Sequence, residues 1–409
     1  MDELTVFGAI VLVVAGGLLL ALLSSKVSER FPIPEPALFL VLAAIASDLF
    51  PALAERVSFL EVERIAVVAL IVILFDGGAL VGWRRFRIAA VPIFTIGVLG
   101  TFASAGIVAV AAHYLFGFEW ITAGILGAAL APTDPAVMFS VLGHKEIGGR
   151  AGTILEGESG VNDPVGIALM IGMIELATHP ASSFWVVVRE FSVEMSVGLA
   201  VGLLGAAAMR PLLRISLPNP GLYPLRTLAA AGVVYGVASV AHGSGFLAVF
   251  VAGIAFGDAA VPFRAEIERF HTSLASLAEV VVFVALGLTI DISELLTSTR
   301  LLEGLALAVL VALVARPLAV GPLLAPVRLR RNERLFIVWG GLRGAVPILL
   351  AAFAVLGGVE EADRVYDIVF VVVAFSVIVQ GSSIPWVARR LGIGMATPSP
   401  KVSRRSTTV

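Results

Sequence analysis

Runs of about twenty apolar residues recur along this chain, and that recurrence restricts its fold more than any other feature. A bilayer offers no water to backbone N–H and C=O groups, so a crossing segment must pair them within itself, as a helix does. The candidate spans are 4–23, 34–50, 62–81, 88–115, 120–141, 150–176, 184–209, 222–242, 244–259, 266–290, 303–324, 333–357 and 363–390. The expected fold class is an all-α polytopic membrane protein with about 13 transmembrane helices.

Composition agrees with that expectation. The chain is 59% hydrophobic and only 14% charged, whereas soluble domains carry about 25% charged residues. A net charge of −2 with no basic run interleaved with aromatics points to no nucleic-acid partner. The absence of cysteine excludes disulfides, thiolate metal sites and cysteine nucleophiles. His113, His144, His179, His242 and His271 fall at segment ends or connections without zinc-site spacing, so no cofactor is expected. The first span follows Met1-Asp2-Glu3 with no Lys or Arg before it, which reads as a retained span and not a cleaved signal.

Charge placement orients the chain. With the N-terminus outside, 21 of the 28 Lys and Arg residues fall inside, and Arg56, Arg64, Arg189, Arg300 and Arg364 fall outside. Arg316 and Arg343 lie within spans. Cytoplasmic segments hold the basic excess, so an N-out/C-in arrangement is expected. The polar tail 393–409 is too short to fold as a domain.

Two spans carry helix breakers. Span 5 contains AALAPTDPAVM, with Pro132 and Pro135 flanking Asp134, and span 12 contains WGGLRGAVPI, with Gly340, Gly341, Gly344 and Pro347 around Arg343. They stand seven spans apart. An odd offset relates spans 1–6 to spans 8–13 with opposite orientation, so the expected architecture is an inverted repeat with two broken crossing helices. Carbonyls and half-helix ends freed by the breaks would meet near the midplane, where they can coordinate a cation.

An ionisable residue within a span costs roughly 2.5–3.5 kcal/mol on insertion scales and marks a pathway by default. Those residues are Asp76, Asp134, Glu156, Glu158, Asp163, Glu279, Arg316 and Arg343. Asp163 sits near the middle of span 6, with Ser159 on its helical face and Glu158 and Asn162 on the adjoining one. A carboxylate out of water readily accepts a proton, yet it also offers the hard oxygen an alkali cation prefers. One such group, holding either ion but not both, suffices for exchange.

Plainer readings stand beside these. Asp134 could cap a half-helix, and Asp76, before the basic segment, could be an interfacial residue reached by water. Glu158 reads as a strut paired with Arg316, or else with Arg343. Glu156 reads as solvated, and Glu279 is left open between structural and functional roles. The many small residues read as helix packing.

The motifs LFDGG (Leu74–Gly78), APTDPA (Ala131–Ala136), ESGVNDP (Glu158–Pro164) and GGLRGAVPI (Gly340–Ile348) stand in this order on spans 3, 5, 6 and 12. Together they resemble the monovalent cation/proton antiporters of the NhaP-like branch, over essentially the whole chain. The resemblance implies a homodimer in a prokaryotic inner membrane and an elevator-type carrier. Dimerisation helices would be 1–83 and 215–300, core helices 84–180 and 301–392, and a linker helix 181–214. It implies ion-binding roles for Asp163, Asn162, Asp134, Thr133, Ser159 and Asp76, with the cation held by Asp163, Asp134, Thr133 and Ser159. It also implies a structural pair between Glu158 and Arg316.

The Asn162-Asp163 order resembles electroneutral members, which exchange one cation for one proton. Sodium-selective members commonly read ESLxNDA and carry Glu in the third-span motif. Gly160, Pro164 and Asp76 are closer to the potassium/proton subgroup, so K+ is favoured over Na+ as the transported ion. Two other readings remain: a cation channel lined by buried acids, and a rhomboid-like intramembrane serine protease acting through Gly157-Glu158-Ser159-Gly160. The second needs a histidine at membrane depth beside Ser159.

Overall fold

The computed structural model describes residues 16, 19, 34–49, 58–134, 137–138, 142, 146–179 and 183–396. Of the expected first span only Gly16 and Leu19 fall among them, and most of the tail 393–409 lies outside the described residues, as do Pro135, Ala136 and His144.

The described residues are almost wholly helical. In chain order they form α1 (Glu35–Leu49), α2 (Phe59–Phe116), α3 (Trp120–Leu130), α4 (Gly149–Thr178), α5 (Trp185–Arg214), α6 (Leu222–Val240) and α7 (Gly245–Gly257). Then follow α8 (Arg264–Gly287), α9 (Ile292–Thr297), α10 (Arg300–Leu324), α11 (Arg331–Trp339), α12 (Ala345–Leu356) and α13 (Ala362–Leu391). Six of these, α2, α4, α5, α8, α10 and α13, are long and apolar enough to cross a membrane. The apolar helices α3, α7 and α12 are shorter, and α3 and α12 are halves of the two spans expected to break.

Local chemistry explains the principal ends and bends. A capping box opens α2: Glu61 donates its backbone N–H to the Ser58 hydroxyl and returns a carboxylate oxygen to the Ser58 N–H at 3.0 Å. The basic segment between the expected third and fourth spans is not a loop. The helical run continues through it with a sharp kink at Gly82, whose φ of +63° suits a residue without a Cβ. Asp258 secures the kink by accepting the Arg84 N–H at 2.6 Å.

Three π-helical segments interrupt α-helical geometry, at Thr95–Gly100 in α2, Val311–Ala315 in α10 and Ser376–Gly381 in α13. Each adds one residue per turn locally and rotates the side chains that follow. The segment in α10 ends immediately before Arg316, and the segment in α13 carries Ser376 and Gln380.

Small residues set the packing, since lipid supplies no hydrophobic force between helices and close van der Waals contact must do so. Gly78 of α2 lies against the Phe250 carbonyl of α7, while Gly253 of α7 lies against the Phe75 carbonyl of α2. A Cβ at either would strike main chain. Phe59–Phe94 of α2 packs on α7, α8 and α4, Thr101–Phe116 packs chiefly on α3, and α4 also touches α3 and α5.

One short ribbon departs from the helical pattern. Residues β1 (Glu146–Ile147) pair antiparallel with β2 (Met395–Ala396), and the Gly148 N–H donates to the Gly394 carbonyl at 2.9 Å. The chain that leaves α13 is thus fastened to the start of α4.

Candidate functional site

The site is built where the two broken spans meet α4. Helix α3 ends at Leu130, and Pro132 supplies no N–H for a further turn, so residues 131–134 run without helical bonds. In the second break, Gly340 to Gly344 separate α11 from α12. The breaks join directly: the Asp134 N–H donates to the Leu342 carbonyl at 2.8 Å.

Helix α4 grips the first break through Thr133. The Ser159 hydroxyl donates to the Thr133 carbonyl at 2.6 Å, and the Asn162 amide donates to the Thr133 hydroxyl at 2.8 Å. The Thr133 N–H returns to the Asn162 side-chain oxygen Oδ1 at 3.4 Å. Ser159 and Asn162 are three apart, so one helical face presents both. All three residues are buried.

Asp163 lies next to this clasp, 5% exposed, with Oδ1 buried and without a hydrogen-bond partner among the described residues. The Asp134 carboxylate acts on it electrostatically. The Asp134 side chain rests against Gly344 at the N-terminus of α12, and a Cβ on Gly344 would occupy the place of its carboxylate. Free N–H groups and the positive end of a helix dipole favour an anion at that point.

A second buried layer supports the breaks. Arg316 donates to both carboxylate oxygens of Glu158, at 2.5 and 2.9 Å, with both side chains almost fully buried. The guanidinium lies flat against Gly341, which leaves no room for a Cβ there. Arg343, the other partner considered for Glu158, is engaged elsewhere: Nε donates to the Leu130 carbonyl at 3.0 Å and Nη1 to the Gly341 carbonyl at 2.7 Å. It thereby sets a positive charge at the carbonyl end of α3. Its backbone N–H donates to Ser376 at 2.8 Å, and Gln380 donates to the Trp339 carbonyl at 2.6 Å.

Other residues lie apart from the clasp. Asp76 accepts a hydrogen bond from Thr272 of α8 at 3.4 Å, and none of its described hydrogen bonds reaches Thr133, Ser159 or Asn162. Glu156, expected to be solvated, is instead paired with Arg85 at 3.2 Å and has only 15% of its side chain exposed. The kink at Gly82 directs the following residues onto α4, where Arg85 also donates to Thr153 at 3.3 Å. His271 is no end residue either: it is buried in α8 and bonded to the Thr227 hydroxyl at 2.6 Å. Glu279 of α8 has a buried Oε1 without a hydrogen-bond partner among the described residues.

Thr272, Arg85, Ser376 and Gln380 are the participants that sequence reading passes over. Thr272 could have been found by its four-residue spacing from Glu268, and Ser376 and Gln380 as a polar pair four apart within FSVIVQG.

The chemistry available is that of hard oxygen. Carbonyl, hydroxyl and carboxylate oxygens converge beside one carboxylate whose Oδ1 has no donor, and no group of three His, Asp or Glu side chains among the described residues forms a cage for a transition metal. Ser159 has its hydroxyl bonded to Thr133 and not to a histidine, which is not the arrangement of an activated nucleophile.

Residues 16–390 match the family model described as sodium/hydrogen exchanger, transmembrane. The chain is 36% identical to the K(+)/H(+) antiporter NhaP of Alkalimonas amylolytica over 388 residues, covering 93% of this chain and 66% of that protein. It is 32% identical to the K(+)/H(+) antiporter NhaP2 of Shewanella sp. (strain ANA-3) over 394 residues, 95% of this chain and 68% of the relative. The chain thus spans about two thirds of the length of these relatives. Its fold is similar to that of the sodium proton antiporter MjNhaP1 from Methanocaldococcus jannaschii, with a TM-score of 0.77 at 24% identity, covering 93% of this chain and 100% of that one.

Proposed function

The chain belongs to the sodium/hydrogen exchanger family, in its NhaP-like branch, and on that premise we propose that it is a secondary transporter exchanging a monovalent cation for a proton. The observation that carries the assignment to these residues is the clasp of Thr133 by Ser159 and Asn162 beside the unpartnered Oδ1 of Asp163. Asp163 is the exchanging carboxylate. Asp134, the Thr133 oxygens and the Ser159 hydroxyl complete the cation's ligands, Asn162 keeps its position neutral, and Asp76 contributes from the neighbouring α2 and α8 pair.

Charge arithmetic then governs stoichiometry. Asp134 rests at a helix N-terminus, and the alternating charge is assigned to Asp163 alone. One carboxylate alternating between a proton and a monovalent ion moves no net charge, which makes the exchange one for one and electroneutral. The empty carboxylate is the costly state, because an unpaired charge in the bilayer is expensive to move. That cost couples the two ions.

The wider reading is an elevator with 13 crossings and an N-out/C-in orientation, in a homodimer in the plasma membrane. Core helices 84–180 and 301–392 would move against dimerisation helices 1–83 and 215–300. The joined breaks favour it, since two half-helix pairs bonded to each other can move as one body. K+ is the favoured cation, because the relatives that share 32 to 36% identity are named for K+.

The test is a proteoliposome pH-jump assay with K+, Na+ and Li+ added in turn, in wild-type protein and in Asp163→Asn. Exchange in the first and none in the second is expected, whereas an active Asp163→Asn would remove Asp163 from its role. Rates that follow a clamped membrane potential would refute electroneutrality.

A further inference from the structure

Helix α8 carries a polar face that the exchange reading leaves unused. At 100° per residue, Glu268, Thr272 and Glu279 fall within about 40° of one another, along roughly 16 Å of helix axis. Glu268 pairs with Arg264 at 2.6 Å, at the basic end of the helix. One turn on, Thr272 donates to Asp76, which feels the charge of Glu268. Ala275, the next residue on this face, is small.

The face ends at Glu279. This residue is half-buried, its Oε1 is buried with no hydrogen-bond partner among the described residues, and its charge interacts with Asp134 of the first break and with Glu35 of α1. Asp134 therefore interacts with two further carboxylates: Asp163 on α4, buried and with Oδ1 unpartnered among the described residues, and Glu279 on α8. A buried carboxylate oxygen without a donor is unfavourable unless a proton or a cation neutralises it. A structural glutamate would have a donor, as Glu158 has in Arg316.

We infer that Glu279 is a further cation-attracting residue of the exchange path, at the inner end of a polar lane formed by Glu268, Asp76 and Thr272. It draws the incoming monovalent cation toward Asp134 and so sets apparent affinity, while Asp163 performs the exchange. The inference rests on the exchange reading above.

The test compares wild type, Asp163→Asn, Glu279→Gln and Glu279→Asp in proteoliposomes, with K+ or, where the wild type exchanges it faster, Na+. Glu279→Gln keeps the maximal rate within about twofold and raises the cation KM about five- to tenfold, the scale of one lost charge near the site. Glu279→Asp, which keeps the charge, stays within about twofold of wild-type KM. An unchanged KM in Glu279→Gln overturns the inference, and so does an equal rise in both variants, which marks altered packing. Abolished exchange in a monodisperse Glu279→Gln also overturns it, because Glu279 would then share the role of Asp163.

Should Glu279→Gln not fold, Ala275→Asp carries the test by adding a carboxylate to the same face: a lowered KM supports the lane, and an unchanged or raised KM overturns it. Wild-type vesicles without exchange would sink the transport reading and this inference with it. Exchange that is lost in Asp163→Asn but indifferent to Glu279 sinks the inference alone.

Discussion

The backbone N–H of Asp134 donates to the backbone carbonyl of Leu342, 208 residues along the chain, at 2.8 Å. Each broken span leaves main-chain groups without helical partners, and in a membrane every such group must find one. This bond satisfies a donor of one break with an acceptor of the other. The two breaks are consequently a single structural unit, and the Asp134 side chain is left aimed at the N-terminus of α12.

Gly344 is the residue that permits this aim. A Cβ there would coincide with the Asp134 carboxylate, so Gly344→Ala must displace Asp134 or tilt α12. We expect exchange to fall by about tenfold or more, the usual consequence of shifting a ligand by around an ångström. Gly106→Ala, at a site with open space around it, should leave the rate unchanged. Initial rates in proteoliposomes check both; a fully active Gly344→Ala would remove the Asp134 carboxylate from the site.

The buried pair of Glu158 and Arg316 is expected to show a strong asymmetry. Arg316→Met strands a carboxylate with almost no exposure, and stranding one member of a buried pair costs about 3–5 kcal/mol. Replacing both, as Glu158→Gln with Arg316→Met, removes the stranded charge and should recover much of the loss. Thermal unfolding in detergent, followed by size-exclusion fluorescence, measures the difference. A double variant no more stable than Arg316→Met would show that Arg316 acts through packing against Gly341 and not through charge.

The other ion pair of α4 makes the opposite forecast. Arg85 is 42% exposed and Glu156 15%, so solvent reaches the arginine and screens part of the attraction, and a partly exposed pair contributes about 1 kcal/mol. Arg85→Gln should therefore change the unfolding temperature little, and the small change should shrink further in high salt. A destabilisation as large as that of Arg316→Met would mean that Arg85 holds the kink at Gly82 as well as Glu156.

The contrast between these pairs shows what a sequence discloses. Both breaks are legible because proline and glycine act locally: Pro132 removes a donor wherever it stands, and the run from Gly340 to Gly344 weakens any helix. The expected span 150–176 and the observed Gly149–Thr178 agree closely for the same kind of reason, since hydropathy is a property of the segment itself. Ser159 and Asp163 are legible as a helical face. The partners across space are not. Arg85 and Glu156 are 71 residues apart, and their meeting depends on a kink at Gly82 that a basic run disguises as a loop. Thr272 reaches Asp76 through the register of α2 against α8, which no single segment encodes. The Glu158 partner is the exception, since sequence reading places Arg316 first and Arg316 is the residue that meets Glu158, in the turn that follows the π-helical segment Val311–Ala315.

If proton and cation compete for Asp163, as proposed, the sign of the pH response follows. A carboxylate must be deprotonated before it can ligate a cation, so cation binding releases a proton and affinity falls as pH falls. In the range where Asp163 is mostly protonated, each unit of decrease should raise the apparent KM for the cation by up to about tenfold, with the maximal rate little changed. At higher pH the KM should level off, because no proton remains to displace. Saturating cation should then restore the rate at low pH, which separates competition from inactivation of the fold. Rates measured over a grid of pH and K+ or Na+ concentration decide the matter: a maximal rate that drops at low pH and resists added cation would mean that proton and cation occupy separate sites, and one carboxylate could not then account for exchange.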